Sequence, residues 1–206
     1  MKLITSLILL LTISVVGHAQ KYSMDFWHDG EMDVNSGKTL RGKIKYDLEA
    51  ESIQFMEGNV LRSYSASNVD AFQIVDALDN RVRYFYSLPY TYQNQYQKNH
   101  FFELLTEGYF TLLAREKLVE RVRNVNDPFS PVGFNTYRVF FLEYDFFLVD
   151  PSGEIISITS SKPKEVIEIL KGKEEKLETY IKQNRLRLEE WEDMTKLVSY
   201  YNSLKG

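Results

Sequence analysis

No cysteine occurs in the 206 residues. Disulfides, thiol nucleophiles and thiolate metal sites are therefore excluded, and an exported chain of this kind must hold its fold by packing alone. Histidine is scarce as well. Of three in the chain, only His28 and His100 lie outside the first nineteen residues. There is no His-Glu-x-x-His or comparable ligand spacing, no Gly-x-Ser-x-Gly elbow and no glycine-rich phosphate loop, Glu57-Gly58-Asn59 being only a turn. Zinc wants three or four protein ligands, so no metal and no other cofactor is expected. Positive charge is in deficit: 25 lysines and arginines face 29 acids, a formal net charge of −4. That balance gives no electrostatic reason to seek nucleic acid or an anionic membrane.

One long apolar run is present, at the start. Lys2 precedes the apolar stretch from Leu3 to Val16, and Gly17-His18-Ala19 offers small residues at a cleavage site. The pattern predicts a secretory signal peptide over residues 1–19, too short to favour a membrane anchor. Its removal takes one lysine and no acid, moving the net charge from −4 to −5 and leaving 187 of the 206 residues. No integral membrane span is expected after cleavage. The expected location is the periplasm, the outer envelope or the medium.

The remainder reads as a β-rich body over residues 20–159 and a helical tail over residues 160–206 packed on it. The most apolar stretch of the mature chain is Tyr137–Thr159. Phe140, Leu142, Tyr144, Phe146 and Leu148 alternate there, which predicts one buried row on a central strand. Asp150-Pro151-Ser152-Gly153 then turns the chain, and Ile156 and Ile158 continue the row on the return strand.

Short alternating segments precede that hairpin. Tyr22–Phe26 alternates as a first strand and leads into Trp27-His28-Asp29-Gly30. Strands follow at Glu31–Val34, Thr39–Tyr46, Ser52–Met56, Val60–Ser65, Asp70–Asp76 and Arg81–Tyr86, with a hairpin loop at Gly58-Asn59. Ser87–Asn99 has no period and reads as a loop. Phe101–Thr106 and Tyr109–Arg115 read as strands around Glu107-Gly108, since glycine weakens a helix and the aromatics favour strands. Lys117–Arg123 extends the second of these, and Asn124–Asn135 reads as a loop.

In the tail, Ser160-Ser161-Lys162-Pro163 starts a helix whose stripe is Val166, Ile167 and Leu170, and Gly172 ends it. Glu174–Asn184 and Leu188–Leu204 are two more helices, the last with Trp191, Met194, Leu197, Val198, Tyr201 and Leu204 on one face. That stripe is read as core, with a partner groove as the alternative. The fold class predicted is α+β: an antiparallel β-meander or partly closed barrel followed by three short C-terminal helices.

Trp27 onward through Gly42-Lys43-Ile44-Lys45-Tyr46, the segment Arg81-Val-Arg-Tyr-Phe-Tyr86, and the ending Tyr180-Ile-Lys-Gln-Asn-Arg-Leu186 with Tyr200-Tyr201-Asn202 form a combination. Together they resemble uncharacterised secreted proteins of Gram-negative bacteria with a β-rich body and a helical C-terminus. The resemblance spans most of the mature chain and implies an envelope location. It carries no catalytic signature and no site residues.

Chemistry-bearing residues are few. His28-Asp29, or His100 with Glu103 on a helix, would suit a ligand pair; solvated loop or edge histidines are the plainer reading. Glu143 and Asp145 share a strand face and are the candidate catalytic carboxylates of a glycan-directed hydrolase. The plainer reading is a wet strand face opposite Arg81 or Arg83. Tyr84, Tyr86, Tyr90, Tyr92 and Tyr96 are concentrated around the Ser87–Asn99 segment. Tyrosine combines a large apolar body with a polar tip, so Tyr90, Tyr92 and Tyr96 are the binding candidates. The leading functional expectation is a non-enzymatic secreted or periplasmic protein, a binding or structural envelope component whose partner is an envelope protein or a glycan. The alternative is the envelope hydrolase.

Overall fold

The computed structural model describes residues 21–92, 96–126, 134–159 and 161–205. The expected signal peptide lies outside them. Ten strands form one open antiparallel sheet: β1 (His28–Val34), β2 (Lys38–Asp47), β3 (Ser52–Glu57), β4 (Val60–Ser65), β5 (Val69–Val75), β6 (Val82–Tyr90), β7 (Lys98–Thr106), β8 (Thr111–Asn126), β9 (Phe134–Val149) and β10 (Ile155–Ile158). Three helices follow: α1 (Pro163–Leu170), α2 (Glu174–Asn184) and α3 (Trp191–Ser203). The strand order is β10-β9-β8-β7-β6-β5-β1-β2-β3-β4. The chain is therefore two meanders, β1–β4 and β5–β10, joined where β5 returns to pair with β1. Among the described residues no helix is long and apolar enough to cross a membrane.

Three expectations are corrected at the local level. Tyr22–Phe26 is not a strand. Ser23–Asp25 forms a 3₁₀ turn because the Asp25 carboxylate accepts the Tyr22 N–H at 3.1 Å, and the Asp25 N–H returns to the Tyr22 carbonyl. The first strand begins at His28 and takes in Asp29 and Gly30, expected between two strands. The Ser87–Asn99 segment is strand at both ends: β6 continues to Tyr90, which pairs with Lys98 at the start of β7, while Thr91, Tyr92, Tyr96 and Gln97 are irregular and Gln93–Gln95 lie outside the described residues. Pro89 is tolerated because β5 stops pairing with β6 at Tyr86, so its missing N–H faces an edge.

Alternation places the side chains in two layers. One face of the β1–β7 half holds Met32, Ile44, Tyr46, Ile53, Phe55, Phe72, Ile74, Phe85 and Phe101 in one core. A second core lies where the helices cover β8–β10. There Val166, Leu170, Leu177, Met194, Leu197, Val198 and Tyr201 pack on Phe110, Leu112, Ala114, Phe146 and Leu148. Burial of each such large side chain contributes about 1.5–3 kcal/mol, which holds the tail on the body. The Asn202 side chain reinforces it: its Oδ1 accepts the Phe110 N–H at 3.0 Å and its Nδ2 donates to the Phe110 carbonyl at 2.8 Å. The helix starts differ slightly from expectation. Lys162 is the N-cap of α1, Pro163 opens it and Ser160 lies outside the described residues. α3 starts at Trp191, after a turn in which Asp193 accepts the Arg187 N–H.

The Phe140–Leu148 row is buried only at its far end. Phe146 and Leu148 are in the helix-covered core, Tyr144 and Leu142 are half-buried, and Phe140 is 48% exposed. The physical reason is that β8 and β9 run well past the body as a two-stranded ribbon, pairing from Thr111↔Val149 out to Asn126↔Phe134. They absorb Asn124 and Asn135, expected in a loop, whereas Pro128, Pro131 and Gly133 lie outside the described residues. At the other end of β9 the expected turn is present, with the Asp150 carboxylate accepting from the Ser152 N–H and hydroxyl and the Glu154 N–H.

Candidate functional site

Three arrangements concentrate the polar chemistry. The first arises where β7 parts from β8. The two pair only from Glu103–Thr106 to Leu112–Ala114, so the Phe101 backbone on that side needs other partners. Side chains supply them. Glu51, on the turn after β2, accepts the Phe101 N–H at 2.9 Å, and Arg115 donates to the Phe101 carbonyl at 2.8 Å. Arg115 also donates to the Leu48 carbonyl and, at 2.7 Å, to Glu51, whose same oxygen meets His100 Nδ1 at 2.5 Å. A cleft of about 300 Å3 opens beside them, with Tyr92, Lys117 and Asp145 on its walls. The His100 ring lies edge-on to Tyr92, 4.9 Å between centroids, and Tyr92 meets Tyr90 in the same manner.

Burial lowers the His100 pKa and outweighs the opposing Glu51 hydrogen bond and charge; Arg115 and Lys98 act with burial. Burial also raises the Tyr92 phenol. The sign for stability follows directly. Because the folded-state value of His100 is depressed, the unfolded chain takes up the proton first as pH falls. Stability present above the unfolded histidine value of about 6.5 is then lost as pH falls through it. The His100→Gln variant, still able to donate to Glu51, should show a flatter decline in urea midpoint between about pH 7.5 and 5.5. An unchanged slope would remove His100 from the account.

The second arrangement divides the two cores. Arg83 lies buried on that same face of the β1–β7 half and reaches β2, β7, β8 and the segment just after β5. It grips Glu103 with two bonds of 2.9 and 2.6 Å, and donates to Glu116 at 3.0 Å, Asp76 at 3.1 Å and the Tyr46 hydroxyl at 2.7 Å. The Tyr46 hydroxyl donates in turn to Glu116. Ser23 donates to Asp76 at 2.5 Å. His28 completes the network: the Ala77 N–H donates to Nδ1 and Nε2–H donates to the Ser23 carbonyl. Burial raises Glu116, with Arg83 and Tyr46 opposing. Burial also acts upward on Asp76, but the bonds from Ser23, Leu78 N–H and Arg83 prevail and hold its carboxyl low.

The third arrangement is on the outward face of β1, β5 and β6. Cross-strand register sets Tyr84 beside Gln73, Gln73 beside Glu31 and Glu31 beside Arg41; the next row is Tyr86, Ala71, Asp33 and Thr39. Tyr84 is 46% exposed and Tyr86 38%. The short Ala71 side chain leaves a groove of about 220 Å3 between the tyrosines and the acids. Gln73 donates to Glu31 at 2.6 Å, Arg41 pairs with Glu31 at 2.8 Å and Thr39 donates to Asp33 at 2.5 Å.

The residues singled out in the sequence are thus dispersed. Tyr90 and Tyr92 are half-buried against Phe102 and Phe147 beside the cleft, and Tyr96 is 95% exposed. Both histidines are buried, not solvated. Distant partners pull them in: Ala77 and Ser23 for His28, Glu51 for His100. His100 and Glu103 sit three apart on a strand and face opposite ways, and among the described residues no group of three or more potential ligands could hold a metal. Glu143 and Asp145 are opposed not by Arg81 or Arg83 but by Arg121 and Lys117 of the adjacent β8, Lys117 to Asp145 at 2.6 Å. Arg83 is inside the fold, and Arg81 pairs with Glu103 at 3.4 Å and lies over Trp191.

No protein-family model matches this chain, and neither the curated proteins nor the solved structures yield a significant match.

Proposed function

We propose that this protein is an exported, non-enzymatic component of the bacterial envelope that binds glycans on the outward face of its sheet. The observation that carries the reading is the pair of solvent-facing rings, Tyr84 and Tyr86, bordering a groove with Gln73, Glu31 and Asp33 on its other side. A pyranose presents an apolar C–H face that stacks on an aromatic ring, and hydroxyls that amides and carboxylates bind. The groove supplies both within one row of neighbouring strands. The signal-like start, Met1–Ala19, supports export to the periplasm or beyond. The competing hydrolase reading has no comparable geometry, because Glu143 and Asp145 are each engaged by a cation on a sheet face.

Affinity electrophoresis and calorimetry with soluble glucan and N-acetylglucosamine oligomers test the proposal. Losing one stacking ring removes roughly 0.5–1.5 kcal/mol, so the Tyr84→Ala, Tyr86→Ala double variant should weaken binding about tenfold or more. Both rings are partly exposed, so the thermal midpoint should stay near that of the wild type. No binding to any of these oligomers, or binding indifferent to both substitutions, would reject the groove.

A further inference from the structure

Among the described residues, the β8–β9 ribbon lacks neighbouring strands on both edges. β7 pairs with β8 only as far as Ala114, and β10 takes the outer edge of β9 only from Phe146 onward. Residues 115–126 and 134–145 therefore pair only with each other within the sheet. At about 3.3 Å per residue they project roughly 40 Å. Beyond its base, the Tyr22 hydroxyl ties the ribbon to the body among the described residues, donating to the Phe140 carbonyl at 2.8 Å. Apolar side chains stand in solvent along it: Val122 at 63%, Tyr137 at 52% and Phe140 at 48% exposure. A bare two-stranded ribbon is marginal in water, and an unpaired edge is a template for another strand.

The two edges are not equivalent. Antiparallel strands related by a two-fold axis set residues of the same parity opposite each other. On β8, any such axis from Val119 to Val122 opposes two of Lys117, Arg121 and Arg123, or Arg121 to itself. Like charges directly opposite are destabilising. On β9, no axis from Val139 to Leu142 opposes like charges, and Val139-Phe140-Phe141-Leu142 lies at the centre. The length of the free edge selects the register. Its midpoint falls between Val139 and Phe140. An axis at Phe140 brings the partner's residue 135, at the start of its β9, opposite Asp145, the last residue before β10 takes over the edge at Phe146.

We propose that a second copy of this chain pairs along β9, making a four-stranded antiparallel ribbon with the two-fold axis at Phe140. Phe140 then meets the partner's Phe140 on one face, with Arg138 beside the partner's Leu142. On the other face Val139 meets the partner's Phe141 and Tyr137 the partner's Glu143. The interface is isologous and closes at two copies. The Tyr22 hydroxyl takes one lone pair of the Phe140 carbonyl and leaves the other for the partner's N–H.

The absence of native cysteine makes the test direct. Directly opposed residues in an antiparallel pair lie within disulfide reach. Phe140→Cys should give a disulfide-linked dimer on mild oxidation of the purified protein, and Val122→Cys, on the outer strand, should not. In sedimentation equilibrium up to about 200 μM the wild type should be dimeric, a level suited to the micromolar range. Phe140→Lys, which sets two ammonium groups together at the axis, should weaken the dimer at least 100-fold, and Val122→Lys should leave it intact. A wild type that stays monomeric, or equal cross-linking of the two cysteine variants, would overturn the proposal.

Discussion

Arg83→Met should lower unfolding stability by about 3–5 kcal/mol, the cost of breaking a buried ion network from one side. The guanidinium lies among Glu103, Glu116 and Asp76, with only Arg81 as a second cation near Glu103. Removing it leaves Glu116 and Asp76 inside a low-dielectric core without their cation, leaves Glu103 with Arg81 alone, and takes away donors from all three. Protonation of Glu116, which burial already favours, relieves only one of them. Arg83→Lys should fall between wild type and Arg83→Met, because one ammonium cannot reproduce the two-pronged grip on Glu103. The control is the double variant Arg83→Met, Glu103→Met. Replacing a buried pair together is often close to neutral, but Glu116 and Asp76 still lack Arg83, so it should recover part of the loss. Urea unfolding of the three variants decides the matter, and a loss under about 1 kcal/mol for Arg83→Met, the scale of an exposed ion pair, would show that water reaches the network.

Gly42→Ala should be nearly as damaging, for a steric reason. Gly42 faces Gly30 across β1 and β2. A Cβ on Gly42 would run into the Met56 carbonyl of β3 and sit 3.0 Å from the Phe55 ring; one on Gly30 would run into the Gln73 carbonyl of β5. The obstacles are backbone atoms of neighbouring strands, so no rotamer change relieves them. Each substitution should cost about 3 kcal/mol or more, the upper end for inserting one carbon into a packed core. The thermal midpoints of Gly30→Ala and Gly42→Ala measure it. A midpoint within a degree or two of wild type would mean that the strands simply separate there.

Gly30 also shows where sequence reasoning reaches its limit. Asp29-Gly30 carries turn chemistry, yet glycine here serves close strand approach, and only the neighbours across the sheet distinguish the two uses. Alternation of apolar residues located most strands and the helical stripes, because burial on one face imposes the period. It could not show what covers that face. Phe140 and Phe146 belong to one alternating row, but helices lie only over the second. The Arg83 network did leave a trace. Arg83 is in phase with Phe85, Glu103 with Phe101 and Leu105, and Glu116 with Leu112 and Ala114. A charge in step with a buried row must be paired inside the fold, and three such charges on three strands anticipate one another. Tyr84 and Tyr86 stood out as aromatics. Their companions Glu31, Gln73 and Asp33 come from strands far away in sequence, which no local pattern brings together.

β8 contains no glycine or proline from Thr111 to Asn126, nor does β9 from Phe134 to Val149. Glycine and proline are where strands bend or break, so the projecting ribbon has no swivel point. A pull at its far end should therefore load the packed end of β8, at Ala114 and Glu116, and through Glu116 the charged partition between the two cores.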